Sequence, residues 1–106
     1  MPEESMGKIL LTGFKLEPAE KAIVDNLIRS YQHKIGEKVA YKEIKLRMKK
    51  SARGKTFLNE VQGTLVTDKI FNTETADYNL FSALSEALEK LMHEAEHSKR
   101  TSRQRK

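Results

Sequence analysis

The apolar positions of this chain follow two periods in turn, and the switches between them predict its order of elements. From Lys8 to Lys15 the side chains alternate, with Ile9 and Leu11 on one side and Leu10, Thr12 and Phe14 on the other. That two-residue period is the mark of a strand. Pro18 stands where a first helical turn accepts proline, because the missing N–H would have no intrahelical acceptor there. Behind it Ile23, Leu27, Ile28 and Tyr31 recur at helical spacing, and Gly36 is placed to close the helix. Strict alternation returns from Tyr41 to Lys50. Ile44, Leu46 and Met48 face one way and Lys45, Arg47 and Lys49 the other, which predicts a strand buried on one face and cationic on the other. Ser51-Ala52-Arg53-Gly54 marks a turn, and Thr56 to Thr67 reads as the returning strand, with Phe57, Val61 and Leu65 on one face. Lys69 to Thr75 predicts a further short strand. Asp77 is the expected N-cap of a final helix whose stripe runs Leu80, Leu84, Leu88, Leu91 and Ala95.

The predicted order is β-α-β-β-β-α, an α+β domain resembling the double-stranded-RNA-binding architecture. A four-stranded sheet with both helices packed on one face would bury every stripe just named. The helix between the first two strands allows them to pair in parallel through a right-handed crossover, and the remaining strands form a meander. At 106 residues there is material for one core. The domain is expected over residues 8–97, between a disordered N-terminus (1–7) and a disordered basic tail (98–106).

Charge sharpens this picture through its distribution more than through its sum of +5. Between Lys42 and Lys55, seven lysines and arginines face Glu43 alone. Lys99, Arg100, Arg103, Arg105 and Lys106 follow His97 with no acidic residue among them. From Thr56 to His97 the balance reverses, with eight carboxylates against Lys69 and Lys90. Concentrated cationic zones suit a polyanion, since each neutralised phosphate releases condensed counterions. The absence of cysteine excludes a disulfide framework, a thiol nucleophile and a thiolate metal site. No apolar run approaches the roughly 20 residues of a membrane span, and the opening Met1-Pro2-Glu3-Glu4-Ser5 is unlike a signal peptide. A cytoplasmic protein is expected.

The last third carries a family likeness. Gly63-Thr64-Leu65-Val66-Thr67, then Phe71 to Asp77, then Asn79-Leu80-Phe81-Ser82-Ala83-Leu84 lead into Leu88-Glu89-Lys90-Leu91. This resembles the hibernation-promoting, or ribosome-associated inhibitor, family in its short single-domain form. There a strand and a small polar stretch precede an Asp-Met-Tyr-x-Ala-Ile helix start, and the helix continues as Lys-Leu-Glu-Arg-Gln-Leu. Leu11-Thr12-Gly13 followed by Leu16-Glu17-Pro18 is similar to the family's Ile-Thr-Gly strand and the acidic-apolar start of its first helix, so the likeness covers about residues 8–97.

The resemblance implies a translation-silencing factor with no catalytic activity, cofactor or small-molecule substrate, monomeric off the ribosome. It would bind small-subunit rRNA near the decoding centre and block messenger and tRNA. The family's basic positions on the last helix fall on Lys90, His93 and His97, which share one helical face beside Glu94 and Glu96. With two of those positions now histidine, the hairpin and the tail are expected to carry more of the binding. The expected rRNA-binding set is Lys45, Arg47, Lys49, Lys50, Arg53, Lys55, Lys90, His93, His97, Lys99, Arg100 and Arg103. The alternative is a general RNA-binding module. The double-stranded-RNA-binding fold, however, begins with a helix and sets lysines at its last helix start, where Asp77-Tyr78-Asn79 stand here. A protein-interaction module is a third class, supported by the acidic second half.

Two further motifs are weighed and set aside. His93-Glu94-Ala95-Glu96-His97 matches the zinc-protease pattern, but only Ser-Lys-Arg-Thr-Ser-Arg-Gln-Arg-Lys follows where a third ligand would be needed. These are read as surface histidines near a helix C-terminus, where the dipole favours positive charge, and no metal site is expected. Tyr31, Tyr41 and Phe71 could stack on bases, yet their spacing predicts a place in the core.

Overall fold

The computed structural model describes residues 7–104, with side chains over residues 7–98. Its elements are β1 (Lys8–Thr12), α1 (Pro18–Lys38), β2 (Glu43–Arg53), β3 (Thr56–Val66), β4 (Ile70–Asp77) and α2 (Leu80–Gln104). They form one four-stranded sheet in the order β1-β2-β3-β4. β1 runs parallel to β2, with Leu10 beside Lys45, and the other pairs are antiparallel. This is the α+β order that the periods predict. No helix among the described residues is long and apolar enough to cross a membrane.

One core joins the inward side of the sheet to both helices. Ile44, Leu46, Met48, Val61 and Leu65 meet Val24, Ile28, Tyr31 and Ile35 of α1 and Leu80, Leu84, Leu88, Leu91 and Ala95 of α2. Gly63 lets α2 come close: a Cβ there would lie 2.9 Å from a Leu91 methyl. Thr75 Oγ1 donates to the Ala83 carbonyl at 2.7 Å and ties the first turns of α2 to β4. At the end of β1, Gly13 turns the chain with φ +78°. A side chain there would also overlap the Met48 carbonyl oxygen, so glycine is required on both counts.

The helices depart from the sequence reading in three ways. α1 buries Val24, Ile28, Tyr31 and Ile35 and leaves Ile23 half exposed, because residues 24 and 23 point about 100° apart on a helix and only one stripe can face the sheet. It also passes through Gly36 to Lys38. An interior glycine costs only about 1 kcal/mol, and the helix stops where Val39 turns extended while its N–H still reaches the Ile35 carbonyl. At α2 the cap is Asn79, not Asp77. Asn79 Oδ1 accepts the Ser82 N–H at 3.0 Å, whereas Asp77 Oδ1 accepts the Asn79 N–H at 2.8 Å and shapes the turn before it.

β4 extends two residues beyond its expected end, to Asp77. α2 does not end at His97 but runs on to Gln104, through lysine, arginine and glutamine, which favour helix, with no glycine or proline to stop it. The rest of the expected disorder, at residues 1–6 and 105–106, lies outside the described residues.

Candidate nucleic-acid interface

β2 is the element that builds a cationic surface. Ile44, Leu46 and Met48 are at most 5% exposed, so the strand's pleat turns Lys45, Arg47 and Lys49 away from the helices into solvent. Alternate residues of a strand lie about 6.6–6.8 Å apart, a spacing comparable with successive phosphates of a nucleic-acid strand. The register sets polar groups beside this row. Thr64 and Asn72 follow Lys45 across the sheet, and Gln62 and Glu74 follow Arg47. Thr64 Oγ1 donates to Asn72 Oδ1 at 2.8 Å, and Gln62 Nε2 donates to Glu74 Oε2 at 3.0 Å. Thr12, Arg47, Lys49, Glu60 and Gln62 line a shallow depression in this face.

Three carboxylates, Glu43, Glu60 and Glu74, share this face. Lys45 Nζ lies 3.9 Å from Glu43, and Arg53 lies 4.0 Å from Glu60, whose other contact is the Ser51 hydroxyl donating at 2.9 Å. Among the described residues no carboxylate lies within 4.0 Å of Arg47, Lys49, Lys50 or Lys55. The β2–β3 hairpin runs past the helix layer, so that even its helix-side positions Lys50, Ala52 and Phe57 are exposed. Its tip carries Lys50, Arg53 and Lys55.

The expected binding residues therefore fall in three places. Lys45, Arg47 and Lys49 share the open sheet face, Arg53 and Lys55 stand beyond them at the tip, and Lys50 is exposed on the helix side of the hairpin. Lys90, His93 and His97 are exposed on α2, in the helix layer across the sheet from that face. α2 runs from the hairpin end back towards the β3–β4 turn, where Lys69 Nζ donates to Ser98 Oγ at 2.9 Å. There His93 Nε2 sits 3.3 Å from Glu89, with Glu86, Glu94 and Glu96 on the same helix. The backbone of Lys99, Arg100 and Arg103 continues α2 beyond this point, and their side chains lie outside the described residues. No group of three histidine, aspartate or glutamate side chains able to hold a metal occurs among the described residues.

The aromatic residues divide sharply. Tyr31 is buried, donates to Glu89 Oε2 at 2.8 Å, pairs with Ser85 Oγ at 3.2 Å and carries Lys34 Nζ 4.8 Å above its ring. Burial, then Glu89, push its phenol pKa up, partly offset by Ser85. Tyr41 is buried beside Gly7 and Gly36, and burial raises its pKa too, less an offset from the nearby Gln32 amide and Gly7 backbone. Phe71 packs partly buried against the core. Phe57 and Tyr78 instead stand open at 56% and 60% exposure. The sequence hides this for Phe57, because alternation places it on the core side. Only the length of the hairpin relative to the helices could have revealed it.

No protein-family model matches the chain, and no curated protein sequence matches it. Solved structures do. The N-terminal domain of Protein Y from Thermus thermophilus superposes with a TM-score of 0.54 at 15% identity, covering 88% of this chain and 97% of that one. A ribosomal subunit interface protein from Coxiella burnetii gives 0.55 at 17%, covering 90% and 98%. The chain thus has the β-α-β-β-β-α fold of these two proteins, over nearly the length of both. That is the fold which the sequence resemblance implies.

Proposed function

We propose that this chain is a ribosome-associated translation-silencing factor of the hibernation-promoting kind, acting by occupancy and without catalysis. It would lodge on small-subunit rRNA near the decoding centre, where its body excludes messenger and tRNA. The observation that carries this reading is the row Lys45, Arg47 and Lys49, exposed on an open sheet face, with Lys50, Arg53 and Lys55 exposed on the hairpin beyond it. The likeness of the fold to a ribosomal subunit interface protein supports the ribosome as the polyanion. Phosphate contacts by these cations would set register and affinity, and such binding weakens with salt. α2 plays a smaller part, since four carboxylates accompany Lys90 between Leu80 and Ser98.

The test is sedimentation of a cell extract at low and moderate salt. The protein should migrate with small subunits at low salt, leave them as salt rises, and compete with initiator tRNA on purified subunits. Free migration at low salt beside stoichiometric ribosomes contradicts the proposal. Binding to any RNA duplex with equal affinity would favour a general RNA-binding module instead.

A further inference from the structure

We propose that Phe57 and Tyr78 form a stacking site for unpaired RNA bases at the hairpin end of the domain, resting on the reading that this chain binds RNA. The chain has seven aromatic residues. Tyr31 and Tyr41 are buried, and Phe14, Phe71 and Phe81 pack against the core. The two that remain open, Phe57 and Tyr78, stand at the same end of the sheet. Phe57 is the second residue of β3, opposite Ala52, beyond the reach of the helices. Tyr78 follows β4 in the turn before α2, and Asn59 Nδ2 donates to its carbonyl oxygen at 3.0 Å. That bond holds the Tyr78 backbone against β3 only two residues from Phe57.

Neither ring has a role in the fold that this packing reveals, and each keeps more than half its surface in water. The chemistry beside them selects the occupant. Lys55 lies two residues before Phe57 on the chain, and Lys50 and Arg53 lie across the hairpin; of these three, only Arg53 has a carboxylate near it among the described residues, Glu60 at 4.0 Å. Cations at the same end of the sheet as open rings are the two parts of a single-strand site: charge follows the backbone, and any base has a π-face to stack. A duplex keeps its bases stacked on one another and cannot use the rings. This adds to the sheet-face row a preference for unpaired RNA.

The experiment titrates the full-length protein with single-stranded decauridylate and with a ten-base-pair RNA duplex. It compares the parent with Phe57→Leu, Tyr78→Leu and the double variant, with circular dichroism and melting temperature measured alongside. Both positions are exposed, so the fold should be kept. The expected result is a loss of roughly tenfold per ring for decauridylate, little change for the duplex, and an unchanged salt slope. The variant Lys45→Gln, Arg47→Gln, Lys49→Gln should instead lower binding to both RNAs and flatten the slope. If that variant weakens RNA binding while the leucine variants bind as the parent does, the stacking site is overturned and the RNA-binding reading stands. If the parent binds neither RNA, nor small subunits in the sedimentation test, both fall together. Phe57→Trp should retain decauridylate affinity and report contact by fluorescence quenching, and absence of quenching on binding would also overturn the proposal.

Discussion

Tyr31 joins the two helices through its hydroxyl, which donates to Glu89 and pairs with Ser85 from inside the core's edge. Removing it in Tyr31→Phe leaves the ring's packing but loses a charge-assisted bond, so stability should fall by about 1–2 kcal/mol in urea unfolding. The pH dependence has a fixed sign. Folding raises this phenol's pKa above its ordinary 10.0, so the folded state favours the protonated form. The stability it contributes is complete below about pH 10 and is lost as pH rises through the higher folded value. Tyr41, raised in the same direction, adds to that alkaline loss. Tyr31→Phe should therefore show a shallower decline in stability above pH 10 than the parent. At this scale the sequence turned Lys45, Arg47 and Lys49 outward and set Tyr31, Tyr41 and Phe71 in the core, as found, but misplaced Phe57. Lys45, Arg47 and Lys49 were legible because a strand's period assigns each residue to a face. Whether Phe57 is covered depends on where the helix layer stops, which no local pattern records.

At the scale of elements, the turn before α2 shows how two plausible caps are told apart. Asp77 and Asn79 both have the right chemistry, but only Asn79 reaches a first-turn N–H, while Asp77 folds the turn that delivers it. Asn79→Ala should cost about 1 kcal/mol in thermal or urea unfolding, and Asp77→Ala distinctly less, because α2 keeps its cap. Equal losses would mean that the turn and the cap act as one unit. α1 was harder to place than α2. Ile23, Val24, Leu27 and Ile28 form adjacent pairs that suit either of two stripes, and the sheet chooses the one containing Val24. α2's stripe was read correctly because, Phe81 and Met92 apart, its intervening positions up to Ala95 are polar or small.

Among the described residues, charge is sorted by the sheet. Its open face and hairpin tip hold the concentrated cations, whereas the helix layer mixes signs and α2 is acidic up to Ser98. The family resemblance groups Lys90, His93 and His97 with the hairpin in one expected binding set, whereas the fold puts them on the other side of the sheet from the cationic row. On the sided arrangement, His93→Gln with His97→Gln should leave small-subunit affinity within about twofold, because both rings lie across the sheet from the cationic row. A tenfold loss would place the helix layer against rRNA as well. The central claim is that the outward row of β2 binds ribosomal phosphate, and the salt dependence of affinity for purified small subunits tests it most directly. Measured for the parent and for Lys45→Gln, Arg47→Gln, Lys49→Gln, the slope of log affinity against log salt should fall by about three, with the melting temperature held. An unchanged slope in a folded variant would contradict the account.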